Sequence, residues 1–134
     1  MKKIAGTLGA IFLVLLVISS CEPEETAAVS ARLTGAPGAV GLFSGKVAGG
    51  RLCYTLEFSG VDQVTGAHLH FRSEDGGVAN LRPFSSREED CVAVSGYDAG
   101  RLPQTPADYY VHVHTSQFPM GAISGALSPG ISEP

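Results

Sequence analysis

Short runs in which apolar and polar residues alternate, divided by glycine and proline, constrain the fold of this chain more than any other feature of its sequence. Along residues 52–58 every second residue is apolar, and no long stretch repeats apolar residues at the spacing of a helix. Alternation with a period of two is typical of a β-strand that buries one face. The same pattern predicts eight strands, at residues 28–33, 41–47, 52–59, 67–72, 78–81, 91–95, 109–115 and 122–127.

Turn residues separate these strands and indicate the architecture. The 17 glycines and 8 prolines are spread along the chain, and they predict breaks that include residues 85–89 and 118–121. Around residues 98–108 the prolines and the Asp and Gly pairs allow at most one short helical turn. Seven or eight short strands within about 100 residues predict an all-β fold, an antiparallel, Greek-key-like sandwich or flattened barrel.

The first 21 residues have the organisation of a bacterial export signal. Lys2 and Lys3 precede an apolar run over residues 4–18, which is shorter than the roughly 20 residues that a transmembrane helix needs. Residues 18–21 (Ile-Ser-Ser-Cys) resemble the lipobox of bacterial lipoproteins. We therefore predict a lipoprotein signal peptide at 1–20 and lipidation of Cys21. An ordinary signal peptide with a chance cysteine and an uncleaved anchor remain the alternatives.

The residues from Cys21 onward divide into a tether and a domain. Residues 21–27 are acidic and contain proline, which suits a solvated tether, and residues 28–134 form the predicted β domain. A lipid anchor predicts attachment to a membrane of the cell envelope, inner or outer, on its extracytoplasmic side. Removing Lys2 and Lys3 from the 9 basic residues leaves 7 against 13 acidic ones, a net charge of −6. This charge argues against a nucleic-acid partner.

Two cysteines, Cys53 and Cys91, remain once Cys21 carries lipid. An even number of cysteines in an exported domain predicts a disulfide between them. Both residues fall on the polar face of their predicted strands, which is compatible with a bridge across the outside of a sheet or to a covering loop. Two free thiols, or a pair of thiolate metal ligands, are the competing interpretations.

All four histidines occur in two His-x-His pairs, His68 with His70 and His112 with His114. Residues i and i+2 of a strand share a face at a spacing of roughly 6–7 Å, so the two rings of a pair can bind one metal ion. All four rings can converge if the two strands are neighbours. A nitrogen-only site favours copper, with zinc as the second choice. The alternative is that surface histidines only form hydrogen bonds with loops or with one another.

The alternation places these histidines away from the predicted core. Ala67, Leu69 and Phe71 form the apolar side of the first strand, and Val111 and Val113 form that of the second. The imidazoles therefore point to the opposite face. A buried structural histidine would instead share a face with the aliphatic residues.

Three segments carry a family resemblance: residues 66–70 (Gly-Ala-His-Leu-His), 109–119 (Tyr-Tyr-Val-His-Val-His-Thr-Ser-Gln-Phe-Pro) and 121–127 (Gly-Ala-Ile-Ser-Gly-Ala-Leu). They resemble the CHRD domain, which is named for its repeats in chordin, and the resemblance extends over residues 28–127. His112 stands where the family usually has asparagine, and Ser124 where it often has arginine. The family pattern carries over at His68, His70, Tyr110, His114, Thr115, Gly121 and Gly125.

The resemblance implies a fold and a compartment more readily than an activity, because bacterial members of the family are commonly secreted or lipid-anchored single domains. A weaker similarity, to copper-zinc superoxide dismutase, rests on a β-sandwich with a His-x-His strand and histidines on its outer face. This chain has no evident zinc loop rich in His and Asp. Fold similarity by itself does not establish chemistry.

Three functions agree with these observations. The first is a metal-binding module of the cell envelope, which holds copper, or zinc as the second choice, through the four histidines. The second is a metal-free structural or interaction module that docks another envelope protein, and the third is a copper oxidoreductase. The sequence contains no Gly-x-Ser-x-Gly elbow, phosphate loop or His-Glu-x-x-His motif. We therefore predict no catalytic residues and favour binding over catalysis.

Overall fold

The computed structural model describes residues 26–72, 76–82 and 86–131, with the side chains of 86–88 left out. The predicted signal peptide at 1–20 and the predicted lipidation site, Cys21, lie outside these residues. In chain order the elements are β1 (Ala27–Gly35), β2 (Val40–Ala48), β3 (Arg51–Ser59), β4 (Val64–Phe71), β5 (Gly77–Leu81), β6 (Ser86–Ala93), α1 (Gly96–Gln104), a 3₁₀ turn (Pro106–Asp108), β7 (Tyr109–Thr115), β8 (Ile123–Ala126) and β9 (Ser128–Pro129).

The strand content confirms the all-β prediction, and each of the eight predicted strands corresponds to one of β1 to β8. The largest boundary error is at β6, which begins at Ser86, inside the break predicted at residues 85–89. This strand is held by its pairing with β3, which extends from Arg51 opposite Ala93 to Leu56 opposite Ser86. Pairing with a neighbour, rather than a local apolar pattern, therefore sets its length.

Helix α1 corrects the prediction that residues 98–108 contain at most one short helical turn, because it has nine residues. The hydroxyl oxygen of Ser95 caps the helix by accepting a hydrogen bond from the backbone N–H of Asp98 at 3.0 Å. The hydroxyl of Tyr109 donates to the Asp98 carboxylate at 2.9 Å, and Leu102 is fully buried. A capped first turn and two tertiary anchors thus stabilise a helix that its own residues favour only weakly.

The strands form one antiparallel sheet in the order β5-β4-β7-β8-β1-β2-β3-β6, with β9 paired to β1. The order departs from chain order where β4 lies beside β7, and β8 returns to pair with β1. The strands at the two ends of the order, β5 and β6, are consecutive in the chain and lie near each other. The sheet is therefore a nearly closed, flattened barrel, as the alternation of short strands predicted.

The inward side chains of this barrel form the hydrophobic core. Two of its aromatic rings, Phe43 and Tyr54, stack at 5.6 Å between centroids. Because successive side chains of a strand alternate between faces, filling the interior leaves every second residue of β4 and β7 on the outside, where the histidines lie. The largest fully buried side chains are Tyr109, Phe43, Leu33, Leu52, Leu69, Leu102, Ile123, Leu127, Val29, Val111 and Val113.

Candidate metal centre

One antiparallel pairing brings the two His-x-His pairs together. Strands β4 and β7 are neighbours, with His68 directly opposite His112 and His70 opposite Tyr110. The intervening residues of both strands are buried in the core. The histidines therefore share the outer face of the barrel, as their alternation with aliphatic residues predicted.

Three of the four histidines form the tightest group. His68, His70 and His114 each offer one ring nitrogen, and these atoms all lie within 4.8 Å of one another. Nitrogens bound to one tetrahedral zinc ion are separated by about 3.3 Å, given nitrogen–metal distances of about 2.0–2.1 Å. Small rotations of the side chains would therefore bring the three nitrogens to coordination distance.

The fourth histidine, His112, flanks this group instead of joining it. Its ring lies 5.4 Å from the ring of His70 and 5.5 Å from that of His114, and it packs against Tyr110 at 4.7 Å. In the part of the chain that the structure describes, the mutually close set contains only the other three histidines. The prediction that His112 supplies a fourth ligand stays a prediction.

The orientation of His114 is fixed by the turn that follows β7. Its Nδ1 lies 3.0 Å from the carbonyl oxygen of Pro119, and because a carbonyl can only accept, Nδ1 carries the proton and donates it. In the neutral ring the other nitrogen, Nε2, then has a lone pair that can accept a hydrogen bond or bind a metal. It is buried, and among the described residues it meets no hydrogen-bond partner. A carbonyl that orients one imidazole nitrogen so that the other binds a metal is a common feature of metal sites.

The protonation of His68 also suits a ligand. Burial lowers the pKa of His68 below its ordinary value of 6.5, and the nearby rings of His114 and His70 lower it further. A lowered pKa keeps the imidazole neutral at physiological pH, and the neutral form is the one that binds metals. Gly66 provides the space for this ring, because a Cβ there would lie 3.3 Å from Cε1 of His68.

Aromatic packing holds the third member of the group. The ring of His70 stacks on that of Tyr110 at 5.2 Å with an angle of 9° between the planes. Its exposed fraction is 8% although it lies on the outer face. The cluster is therefore partly shielded from water, which strengthens any interaction with a charged ion.

A cleft of about 420 Å³ lies beside the cluster, and all four histidines line it. Its walls combine the imidazoles with the turn after β7, whose Pro119 and Met120 form one side. A second cleft, of about 530 Å³, lies on the other side of His68 and His70, between β5 and the end of β6. Two clefts therefore border the histidine rings.

The disulfide prediction is confirmed. Cys53 and Cys91 are bonded to each other, and they are directly opposite residues of β3 and β6. The bridge thus crosses two neighbouring strands on the outside of the sheet. Both sulfurs are used in this bond, so the alternative of thiolate metal ligands at these positions is excluded.

Family comparison agrees with this architecture. The pattern of the CHRD domain matches residues 24–127 of the 134-residue chain. The chain belongs to the CHRD domain family. No curated protein and no solved structure matches it. The region that matches the CHRD pattern includes β1 to β8 and all four histidines.

At two glycines of the CHRD pattern, the backbone of this domain disfavours any larger residue. Gly121, in the turn after β7, has a φ of 127°, which L side chains rarely adopt. Gly125 lies in β8 where the chain passes very close to β1, and a Cβ there would lie 2.1 Å from the carbonyl oxygen of Arg32. These glycines keep β8 and its turn in the positions that frame the histidines.

Sequence reasoning missed the contribution of the turn to the CHRD domain's site. Residues 118–121 were predicted only as a break, yet Pro119 orients His114 and Met120 lines the cleft. The signal was available, because an antiparallel return from β7 to β8 must pass close to the end of β7. In the described part of the chain, no helix has the length and apolarity to cross a membrane.

Proposed function

We propose that this CHRD domain is a lipid-anchored, extracytoplasmic module that binds a metal ion, copper in preference to zinc, through His68, His70 and His114. His112 would serve as a flanking or fourth histidine. The observation that carries the proposal is the buried Nε2 of His114, whose lone pair meets no hydrogen-bond partner among the described residues. Leaving a buried acceptor unsatisfied costs about 1–3 kcal/mol, and coordination of a metal would remove that cost.

The donor set supports copper over zinc. All three close ligands are imidazole nitrogens, and divalent copper binds a nitrogen site more tightly than zinc does. The neutral state of His68, favoured by its lowered pKa, makes the site available at physiological pH. The site would hold the ion and present it to a partner.

The envelope location rests on a different set of residues. The signal-like run at residues 4–18 and the lipobox-like residues 18–21 favour export and lipidation at Cys21. The disulfide between Cys53 and Cys91 supports residence in an oxidising compartment. In a bacterial host fed an alkyne fatty acid, the wild-type chain should become labelled and membrane-bound. Cys21→Ser should remain unlabelled, and equal labelling of the two would contradict lipidation at this residue.

The metal proposal is tested on the full-length chain, expressed with its signal and extracted from membranes in detergent. The protein is incubated with Cu(II) or Zn(II) and desalted, and the retained metal is measured by mass spectrometry. Wild type should retain copper close to one ion per chain. The double variant His68→Ala/His114→Ala should retain almost none, because it lacks two of the three close nitrogens.

Thr65→Ala is the matched control, since Thr65 lines the same cleft but offers no imidazole. It should retain as much copper as wild type, and far-ultraviolet circular dichroism should show the same strand content in all three proteins. Failure of wild type to retain an ion, or equal retention by the double variant, would overturn the metal proposal. The metal-free interaction module would then be the better interpretation of the histidine face.

A further inference from the structure

The turn beside the histidine cluster carries the only methionine outside the predicted signal peptide, Met120. We infer that Met120 supplies a thioether ligand that allows the cluster to bind copper(I), in addition to the divalent ion held by the imidazoles. This inference rests on the proposed metal site and names the oxidation state that the site accepts.

The position of Met120 follows from the bonds around its turn. The N–H of Phe118 donates to the hydroxyl of Thr115 at 3.0 Å, and the N–H of Gly121 donates to the carbonyl of Phe118 at 3.0 Å. The first bond holds the start of the turn against Thr115, the last residue of β7, and the second closes the turn between Phe118 and Gly121. A methionine in this turn therefore has a defined location, although its side chain is exposed.

Pro119 places the backbone of Met120 next to the cluster. The Pro119 carbonyl oxygen lies 3.0 Å from Nδ1 of His114, and standard peptide geometry then puts the Cα atom of Met120 within about 6 Å of that nitrogen. The Met120 side chain lines the cleft that contains all four imidazoles. Its three rotatable bonds allow the sulfur to move toward an ion in that cleft.

Exposure and chemistry distinguish this methionine from a core residue. Its exposed fraction is 71%, so the thioether is not used for packing. Copper(I) is a soft ion that prefers sulfur donors, whereas zinc and copper(II) accept imidazole nitrogens. Three imidazoles leave one position open in a four-coordinate site. The thioether of Met120, on the wall of the same cleft, is a sulfur donor for that position.

The test compares wild type with Met120→Leu, which keeps the size of the side chain and removes the sulfur. Full-length protein in detergent is titrated with Cu(I) under anaerobic conditions against a chromogenic Cu(I) chelator, and separately with Cu(II) and with Zn(II). The Cu(I) affinity of Met120→Leu should fall by roughly tenfold or more, the effect of losing a ligand worth about 1.4 kcal/mol. The affinities for Cu(II) and Zn(II) should be unchanged.

Spectroscopy gives a second readout. Copper K-edge absorption of the Cu(I)-loaded protein should show a sulfur neighbour in wild type and only light-atom neighbours in Met120→Leu. Equal Cu(I) affinity in the two proteins, with normal binding of Cu(II), would overturn the role of Met120 and leave the three-histidine site intact. Failure of wild type to bind any of the three ions would overturn the proposed function itself, and this inference with it.

Discussion

The disulfide between Cys53 and Cys91 should supply a large part of the domain's stability. It joins β3 to β6, and β6 is the last strand in the sheet order, hydrogen-bonded to β3 on one side. Replacing both residues with serine removes the bridge and keeps two small side chains at half-buried positions. We expect the double variant Cys53→Ser/Cys91→Ser to fold into the same barrel with a lower free energy of unfolding.

The size of the effect follows from the loop that the bridge closes. The two cysteines are separated by 38 residues in sequence. The chain-entropy relation then gives a loss of about 13 cal/mol/K in the unfolded ensemble, which is about 4 kcal/mol at 25 °C. Because residual structure in the unfolded chain reduces this value, we expect a measured loss of about 2–4 kcal/mol. Small domains are stable by only about 5–15 kcal/mol, so the double variant should unfold at a much lower urea concentration.

Urea unfolding is followed by circular dichroism or by the fluorescence of the 4 tyrosines, since the chain has no tryptophan. Wild type treated with a reductant should shift to the midpoint of the double variant, and the same reductant should leave the double variant unchanged. Copper retention by the folded variant should equal that of wild type, because the histidines are on β4 and β7. A loss below about 0.5 kcal/mol, within the scatter of ordinary surface substitutions, would refute the entropic argument.

Two further substitutions test the backbone and the surface charges. Gly125→Ala should lower the free energy of unfolding by about 1–3 kcal/mol, because the new Cβ would clash with the carbonyl oxygen of Arg32. Gly100→Ala has open space around the new Cβ and should raise the free energy of unfolding by about 0.4–1 kcal/mol. The hydrogen bond from Arg72 lowers the pKa of Asp108 below its usual 3.8, so this carboxylate stabilises the fold above pH 3.8 and less as the pH falls further. The melting temperatures of wild type and Asp108→Asn should therefore differ at pH 6 and converge below pH 3.8; a constant difference would contradict this.

The strands and their faces could be predicted because alternation is a local property. In β3, for example, Leu52, Tyr54 and Leu56 are buried while the residues between them are not, and the sequence shows the same pattern. Strand order is different, because it depends on which distant segments pair. From the sequence, the four histidines were expected to converge only if β4 and β7 were neighbouring strands. In the structure these two strands are paired, and the histidine rings therefore lie close together.

The errors came from elements that depend on tertiary contacts. The residues of α1 include a proline and two glycines, which disfavour a helix. The helix forms because Leu102 enters the core and Asp98 accepts a hydrogen bond from Tyr109. The hydroxyl of Ser95 adds a cap by accepting a hydrogen bond from the N–H of Asp98. The start of β6 likewise depends on β3 as a partner.

The histidines lie on the face that strand alternation predicted, whereas the positions of their rings could not be predicted. Strand alternation determines the side of the sheet on which an imidazole lies, but side-chain rotamers and the twist of the sheet determine where its nitrogens point. His68 is directly opposite His112 in the pairing, yet its ring approaches that of His114, at 5.0 Å between centroids. Diagonal neighbours thus form the close group.

The close group of histidines coincides with the histidines that carry the family resemblance. The CHRD-like pattern carries over at His68, His70 and His114, and these are the three histidines whose nitrogens converge. By that resemblance His112 is the position that departs from the family pattern, and it is also the histidine that lies beside the group. The position with the unusual residue is therefore the one that a three-nitrogen site does not require. The proposed metal site needs only the three histidines whose nitrogens converge, and His112 flanks them.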